Sequence, residues 1–334
     1  MRTYNFSSNM APSFIKYLKE VELRGLKVEK AANSLRSFDS YLYLTNYNLQ
    51  YINREVYIGW SETLATLSAT TISQYKYSVI GFCKYLNDIG IASYIPASPK
   101  NASHHHTPYI YNHETIETIF NLADSWRDRS YPITSTAFVM PCLLRLLYST
   151  AIRIGEALDI KIKDIDFDRK SIILRQTKNQ RMRFIPLNKS ITKVLKQYLS
   201  YREKIPCANL SDPDSYLFIN LRGEKCNHKQ INKRFHRIID QLNLINPINK
   251  RSPRLHDFRH TACVHSMEKM AKQGYDLYHI LPVLSKFMGH TDILSTEYYL
   301  RITKEVFPEI IRLDETLQFD INEIINRSLL EDYE

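Results

Sequence analysis

Residues 286–301 read KFMGHTDILSTEYYLR, and this stretch organises our interpretation of the whole chain. Gly289 and His290 interrupt an apolar run at helical spacing, which indicates that one helix ends there. A second short helix is then predicted to carry Tyr299, nine positions after the histidine. A tyrosine hydroxyl is able to attack phosphorus where nearby cations stabilise the charge that develops.

This stretch alone favours a purely structural role for its histidine and tyrosine, because the chain contains 23 tyrosines and 11 histidines. A histidine with a structural role and a tyrosine in the core are the more common outcome for such a pattern. The balance changes only because of the cationic residues that precede the stretch.

Composition limits the class of protein. At 334 residues the chain is long enough for two domains, and 44% hydrophobic with 24% charged residues is ordinary for a globular protein. No apolar run reaches the length of a membrane span, and the N-terminus lacks a signal-peptide pattern. The five cysteines form no CxxC pair, so we expect a reducing cytoplasm with neither disulfides nor zinc.

Charge is distributed unevenly along the chain. Residues 161–259 contain 23 Lys and Arg against 9 Asp and Glu, a local excess of 14 positive charges. Residues 305–334 contain 2 against 9, an excess of 7 negative charges. A basic middle indicates a polyanionic partner and an acidic tail indicates a protein partner, although a solvated charged surface is the alternative.

Residues 1–96 predict an all-helical domain with apolar stripes at helical spacing. Residues 97–109, rich in Pro, Ser and Asn, predict an interdomain linker, and the adjacent histidines 104–106 within it make a poor preformed metal site. The outer face of the fourth helix supplies candidate contacts to a phosphate backbone, with solvent exposure as the alternative. These candidates are Gln74, Lys76, Tyr77 and Lys84.

A second, mainly helical region begins at His113, and the strongly apolar helix over residues 137–147 is predicted to be central to its core. Arg153 follows at the start of the next helix. Beta structure is local: residues 171–175 and 182–186 predict a hairpin with Lys178 at or beside its turn. The fold class is therefore mainly α with a small β-hairpin or sheet in the second domain.

Five cationic or proton-transferring residues accompany the tyrosine: Arg153, Lys178, His256, Arg259 and His290. Two arginines are able to grip the non-bridging oxygens of a phosphodiester through forked, charge-assisted hydrogen bonds. Histidines hydrogen-bond those oxygens or handle the proton of the hydroxyl, and the lysine protonates the departing oxygen. This set predicts metal-free phosphoryl transfer through a covalent tyrosyl ester, and no carboxylate cluster suited to two-metal chemistry accompanies it.

Four segments resemble the tyrosine recombinases, the phage integrase and Xer-type family. STAIRIGEALDIKIKDIDFD is similar to the segment of the first catalytic arginine, and LRQTKNQRMRFIPL to the β-hairpin with its lysine. PRLHDFRHTACVHSM resembles the His-x-x-Arg box, and FMGHTDILSTEYYLRIT the closing motif. The resemblance implies six catalytic residues: Arg153, Lys178, His256, Arg259, His290 and the nucleophile Tyr299. In that family nine positions separate the histidine from the tyrosine, an interval that selects Tyr299 over Tyr298, which we expect to be a core residue.

The resemblance also implies an architecture and an assembly. A helical DNA-binding domain and a catalytic domain over residues 110–314 would form a clamp on duplex DNA, with no cofactor or metal. Arg175, Arg181 and Arg183 are further candidate DNA contacts. Cleavage would give a 3′-phosphotyrosyl enzyme, and four protomers would exchange strands through a Holliday junction. The acidic residues 315–334 are predicted to form a tail helix that docks on a neighbouring protomer.

Three departures from the family pattern stand out. Ala151 replaces the glycine usual two places before the first arginine, which we expect to cost little. About eight additional residues separate Arg259 from His290, around residues 269–281. No further domain is expected ahead of the helical N-terminal one.

The sequence therefore predicts a site-specific recombinase in the cytoplasm of a bacterium, associated with the nucleoid. The integrase or transposase of a mobile element is the leading interpretation. A chromosome or plasmid dimer resolvase of the Xer type is the alternative, and a non-cutting DNA-binding protein of the same fold is another. A type IB topoisomerase uses similar chemistry but needs neither a specific site nor a tetramer.

Overall fold

The computed structural model describes residues 4–26, 28–99, 107–126, 135–175, 182–207, 210–289 and 294–307. Two compact units divide the chain, residues 1–106 and residues 107–334. Each unit has its own hydrophobic core. Among the described residues no helix combines the length and the apolar character needed to cross a bilayer.

The first unit is helical over the residues described. Its helices are α1 (Ala11–Leu23), α2 (Val28–Leu44), α3 (Arg54–Thr63) and α4 (Ala69–Asp88). Side-chain caps fix two of the starts, because Asn53 and Ser68 accept hydrogen bonds from backbone N–H groups in the first turns of α3 and α4. All four helices lie where the apolar periodicity predicts them.

Aromatic side chains form the centre of the first core. Trp60 is fully buried with its ring centroid 5.0 Å from that of Phe38, and the rings of Phe14 and Phe82 are 4.5 Å apart. Such pairs contribute about 0.5–1.5 kcal/mol beyond the area they bury. Ile15, which the periodicity assigns to the same apolar stripe, is 49% exposed, because α1 buries only Phe14 and Leu18.

The second unit combines helices with one small sheet. Its described helices are α5 (His113–Ser125), α6 (Met140–Thr150), α7 (Ile154–Asp159), α8 (Lys189–Arg202), α9 (His228–Gln241), α10 (Asp257–Lys272), α11 (Leu277–Met288) and α12 (Leu294–Val306). Short 3-10 helices lie over Ala137–Val139 and Ile162–Asp164.

The sheet is antiparallel, with strands β1 (Ile165–Asp166), β2 (Ser171–Leu174) and β3 (Arg183–Pro186) in the order β1-β2-β3. Residue Leu174 pairs with Arg183, so β2 and β3 are the two strands of the predicted hairpin. Strand β1 was predicted only as a turn and a strand start, because two residues are too few to show a period of two. A mainly helical fold with a small β-sheet in the second unit is confirmed.

Helices α6 and α10 lie at the centre of the second unit. Seven of the eleven residues of α6 are buried, and the helix packs against α5, α8 and α10. Helix α10 also packs against α11 and α12. The helices that carry the arginine of the His-x-x-Arg box and the C-terminal tyrosine are therefore in direct contact.

Candidate active site

The turn between α6 and α7 positions Arg153. Helix α6 ends at Thr150, the next residue is Ala151, and Arg153 forms the N-cap of α7. Ala151 has φ of 50°, in the left-handed region where a Cβ costs roughly 1–2 kcal/mol. Our expectation that alanine in place of glycine costs little is therefore wrong, because this position ends a helix in the conformation that glycine adopts without strain.

Arg259 lies in the first turn of α10 and is only 2% exposed. Its guanidinium donates hydrogen bonds to two carbonyl oxygens at helix ends, that of Ala151 at 2.6 Å and that of Met288 at 2.7 Å. Burial lowers the pKa of Arg259 to about 10, with the nearby Arg153 charge as the next cause. The side chain therefore remains cationic at neutral pH and joins the ends of α6 and α11.

Arg153 reaches the same region from α7. Its guanidinium donates to Glu156 at 3.0 Å and to the carbonyl oxygen of Gly289 at 3.4 Å. Gly289 ends α11 with φ of 67°, and a Cβ at this position would overlap the guanidinium of Arg183. The backbone conformation therefore favours glycine here, and a Cβ would also displace the guanidinium of Arg183.

Glu156 connects two arginines and was not singled out from the sequence. Its carboxylate is buried and accepts from Arg153, from the backbone N–H of Arg153 at 2.9 Å, and from Arg183 at 2.5 Å. A glutamate three residues after the N-cap is the capping-box position, which was the available signal.

Arg183 was proposed as a DNA contact, but its side chain is only 13% exposed and also donates to the Phe287 carbonyl oxygen. These contacts indicate an internal structural role for Arg183. Its burial follows from the charge of Glu156, which compensates the guanidinium inside the fold.

Tyr299 lies in α12 and is 3% exposed. Burial raises the pKa of its hydroxyl to about 12, although a hydrogen bond from Arg259 and the charges of Arg259 and Arg153 act in the opposite direction. Tyr298 is only partly buried, so our expectation that Tyr298 is the core tyrosine is wrong. The face of α12 that packs on α10 carries Tyr299, Leu300 and Ile302.

Histidine rings lie beside this tyrosine. The ring centroid of His260 is 5.4 Å from that of Tyr299 and 4.8 Å from that of His256. His256 is exposed at the start of α10, whereas Arg259 is buried, so the two predicted partners occupy different environments. His260 was missed because it adjoins the arginine and its helix position gives no separate signal.

The remaining candidates fall into two groups. Lys178, Arg181 and His290 lie outside the described residues. Among the surface candidates on α4, Gln74 and Lys76 are half-buried, whereas Tyr77 and Lys84 are exposed. The hydroxyl of Tyr77 donates a hydrogen bond to the carbonyl oxygen of Pro99 at 3.0 Å. Arg175 is 47% exposed and pairs with the buried Asp164 at 2.6 Å.

The described cluster therefore places an excess of positive charge beside the hydroxyl of a buried tyrosine. Arg153, Arg183 and Arg259 bring three positive charges, and Glu156 compensates one of them. A phosphodiester is a suitable ligand for the remaining charge, and the hydroxyl of Tyr299 lies beside the guanidinium of Arg259, with the charge of Arg153 nearby.

Sequence comparisons identify the family of the chain. The sequence model of the phage integrase family matches residues 110–305, so the chain belongs to that family, the tyrosine recombinases. A putative integrase/recombinase, y4rB of Sinorhizobium fredii, is 26% identical over 87% of this chain and 93% of its own length. The tyrosine recombinase XerC of Corynebacterium glutamicum is 29% identical over 49% of this chain. The matched region covers 46% of the length of that relative, so the chain spans about half of it.

Solved structures share the fold. The XerH site-specific recombinase bound to its difH substrate has a TM-score of 0.62 at 21% identity, covering 84% of this chain and 79% of that one. The Tn1549 transposon integrase in complex with transposon right end DNA has a TM-score of 0.59 at 16% identity. The match covers 89% of this chain and 99% of that one. A lambda integrase tetramer bound to a Holliday junction has a TM-score of 0.59 at 15% identity. The match covers 86% of this chain and 78% of that one.

Replacing Glu156 by glutamine tests how much the carboxylate contributes to this site. We expect Glu156→Gln to lower the free energy of unfolding by about 3 kcal/mol, because two largely buried guanidinium groups lose their anionic partner. Urea titration measures the loss. Asp124→Asn, which breaks the more exposed pair with Arg145, should cost no more than about 1 kcal/mol. Equal losses in the two variants would contradict a special role for Glu156.

Proposed function

We propose that this protein is a site-specific DNA recombinase that cuts and rejoins DNA through a 3′-phosphotyrosyl intermediate. The observation that carries the proposal is the hydrogen bond between the Arg259 guanidinium and the Tyr299 hydroxyl, with the Arg153 charge close to both. A nucleophile and two cations that stabilise a phosphate anion are thereby in one place.

The proposed reaction is a direct displacement at phosphorus. The Tyr299 oxygen bonds to phosphorus, the bond from phosphorus to the 5′ oxygen breaks, and the 3′ phosphate remains on the enzyme. With a pKa of about 12, only about one tyrosine in 10⁵ is deprotonated at pH 7, so the hydroxyl proton must leave during the step. His256 and His290 are the proposed groups that accept it or bind the non-bridging oxygens.

The departing oxygen receives a proton in the same step. Lys178 is the proposed donor, so the proton lost by the tyrosine is balanced by the proton gained by the 5′ hydroxyl. One ester replaces another, and the bond energy is retained for rejoining without ATP. Arg153 and Arg259 hold the non-bridging oxygens while negative charge develops on them.

DNA binding is assigned to both units. We infer that residues 1–96 and the catalytic domain over residues 110–314 both contact the duplex and are connected by residues 97–109. The positive excess of residues 161–259 supplies phosphate contacts, so affinity should fall steeply with salt. Lys84 and Tyr77 on the exposed side of α4 remain candidate contacts.

The relatives support a biological setting. The Tn1549 and lambda proteins are integrases, which supports a mobile-element integrase or transposase that acts as a tetramer through a Holliday junction. The matches to XerC and XerH support an Xer-type dimer resolvase as the second candidate. In either role the protein would act on the bacterial nucleoid in the cytoplasm.

Mapping covalent adducts on random duplex fragments tests the proposed function. We expect adducts at 3′ phosphates within one recurrent sequence, and Holliday junctions when two such sites are present. Adducts without sequence preference, together with relaxation of supercoiled DNA, would indicate a topoisomerase instead. The absence of any adduct would favour a DNA-binding protein that does not cut.

The acidic tail gives a separate prediction, although it lies outside the described residues. Ile321, Ile324, Ile325, Leu329 and Leu330 recur at helical spacing in a segment of negative charge. We expect this helix to dock on a neighbouring protomer, with docking on its own catalytic domain as the alternative. Deleting residues 315–334 should weaken cooperative binding to a full site more than binding to a half-site. Unchanged cooperativity, measured by gel-shift titration, would contradict docking between protomers.

A further inference from the structure

A cavity of about 800 Å³ lies in the second unit between helices α5, α6, α8 and α10. Its described walls contain none of the residues assigned to phosphoryl transfer. Two histidines and a glutamate lie on one side of this cavity, namely His113 from α5 with His265 and Glu268 from α10. Helix spacing brings His265 and Glu268 to one face, because they are three residues apart.

The three side chains are close enough to share one ligand. The Nε2 atom of His113 is 3.1 Å from a carboxylate oxygen of Glu268, and the rings of His113 and His265 have centroids 4.0 Å apart. One donor atom from each of the three residues lies within 4.8 Å of the others.

His265 carries the second observation. Its side chain is buried, its Nδ1 is 2.8 Å from the Tyr148 hydroxyl, and its Nε2 makes no hydrogen bond of good geometry among the described residues, although the Tyr111 backbone lies near the imidazole. A buried polar atom without a partner is uncommon and calls for an explanation. If Nδ1–H donates to the Tyr148 oxygen, Nε2 presents a lone pair, and this is the arrangement by which outer-shell groups orient metal-binding histidines.

We propose that His113, His265 and Glu268 bind a divalent transition-metal ion, for which zinc is the best match. Two imidazole nitrogens and one carboxylate are a recognised ligand set for zinc, and a fourth position would face the cavity. The ion would supply the missing partner of His265 Nε2. It would also connect α5 to α10, the helix that carries Arg259, and so stabilise the catalytic unit without taking part in strand transfer.

Binding requires two small adjustments. Tetrahedral bonds of about 2.0–2.1 Å place ligand atoms roughly 3.4 Å apart, so the donors must approach one another. His113 is able to move because its side chain is 61% exposed. Lys272, whose Nζ is 2.5 Å from the other oxygen of Glu268, is 57% exposed and is able to turn into solvent.

The experiment uses the full chain with His104, His105 and His106 replaced by alanine, so that the triple histidine contributes no binding. After treatment with EDTA and desalting, the protein is titrated with zinc chloride by calorimetry and with cobalt chloride by visible spectroscopy. We expect one zinc ion per chain, a tetrahedral cobalt spectrum without thiolate charge-transfer bands, and a Tm increase of about 5 °C at a hundredfold excess of zinc over Kd.

Matched variants assign the ligands. His113→Ala removes an exposed ligand and should weaken zinc binding by more than about a hundredfold, whereas Tyr148→Phe should weaken it by about 10–100-fold through the orientation of His265. His279→Ala is the control, because His279 is an exposed histidine paired with Asp276 elsewhere in the unit. It should bind zinc like the parent.

Three results would overturn the proposal: no stoichiometric zinc uptake, uptake that His113→Ala leaves unchanged, or a cobalt spectrum with thiolate bands. Strand cleavage measured in EDTA is a separate readout. It should persist, since the ion is assigned no part in the chemistry, and failure of cleavage would count against the proposed function while leaving the metal titration interpretable.

Discussion

Tyr299→Phe should form no covalent adduct with a nicked suicide substrate while binding the same DNA as tightly as the parent protein. The expected loss is complete, because the displacement at phosphorus needs the hydroxyl oxygen and phenylalanine keeps only the ring. Denaturing gels that separate free from protein-linked DNA measure the adduct, and gel-shift titration measures the affinity.

Stability must be checked in this variant. The hydroxyl accepts a hydrogen bond from Arg259 in a buried position, so its removal should cost about 1–3 kcal/mol. Tyr298→Phe is the matched control, because Tyr298 is the adjacent tyrosine and is only partly buried. The centroid of its ring lies 5.6 Å from the guanidinium carbon of Arg301. It should retain adduct formation. An adduct that survives in Tyr299→Phe would refute the assignment of the nucleophile.

Lys178→Ala should slow cleavage of ordinary DNA by about a hundredfold or more, which is the usual contribution of general-acid catalysis. The leaving 5′ oxygen is a strongly basic alkoxide, and it departs slowly without a proton. A substrate with sulfur at that bridging position leaves as a much less basic thiolate. We therefore expect Lys178→Ala to recover most of its rate on a 5′-phosphorothiolate substrate in single-turnover assays.

Arg153→Ala provides the contrast in the same assay. Its guanidinium is assigned to the non-bridging oxygens, and sulfur in the bridging position leaves their charge unchanged. This variant should stay slow on both substrates. If Lys178→Ala is equally defective on both substrates, the lysine only contacts a phosphate, and the acid role passes to Arg181 or His256.

Much of the fold could be predicted because its helices carry strong local signals. The fully apolar face of α6 and the stripe of α4 followed by Gly90 appear directly in the sequence, and both helices lie where expected. Strand β1 was predicted only as a turn and a strand start, because a two-residue strand exists only through its pairing with β2. Pairing of this kind is a tertiary effect that no local period records.

The candidate site was predicted in its residue types but not in its environments. The resemblance to the tyrosine recombinases identified Arg153, Arg259 and Tyr299, and the structure brings these three together. Spacing did not show that Arg183 is buried against Glu156, because the sequence places both on separate elements. The strain at Ala151 and the burial of Tyr299 likewise depend on how α6, α10 and α12 pack, so neither was foreseeable from local pattern.

Peptide mapping of the trapped protein–DNA adduct tests the central assignment most directly. The adduct is digested with protease and nuclease, and mass spectrometry locates the residue that carries the nucleotide phosphate. We expect a single modified peptide with the phosphodiester on Tyr299, attached to the 3′ end of the cleaved strand. Attachment at Tyr298 or at another side chain, or linkage to a 5′ phosphate, would contradict the assignment.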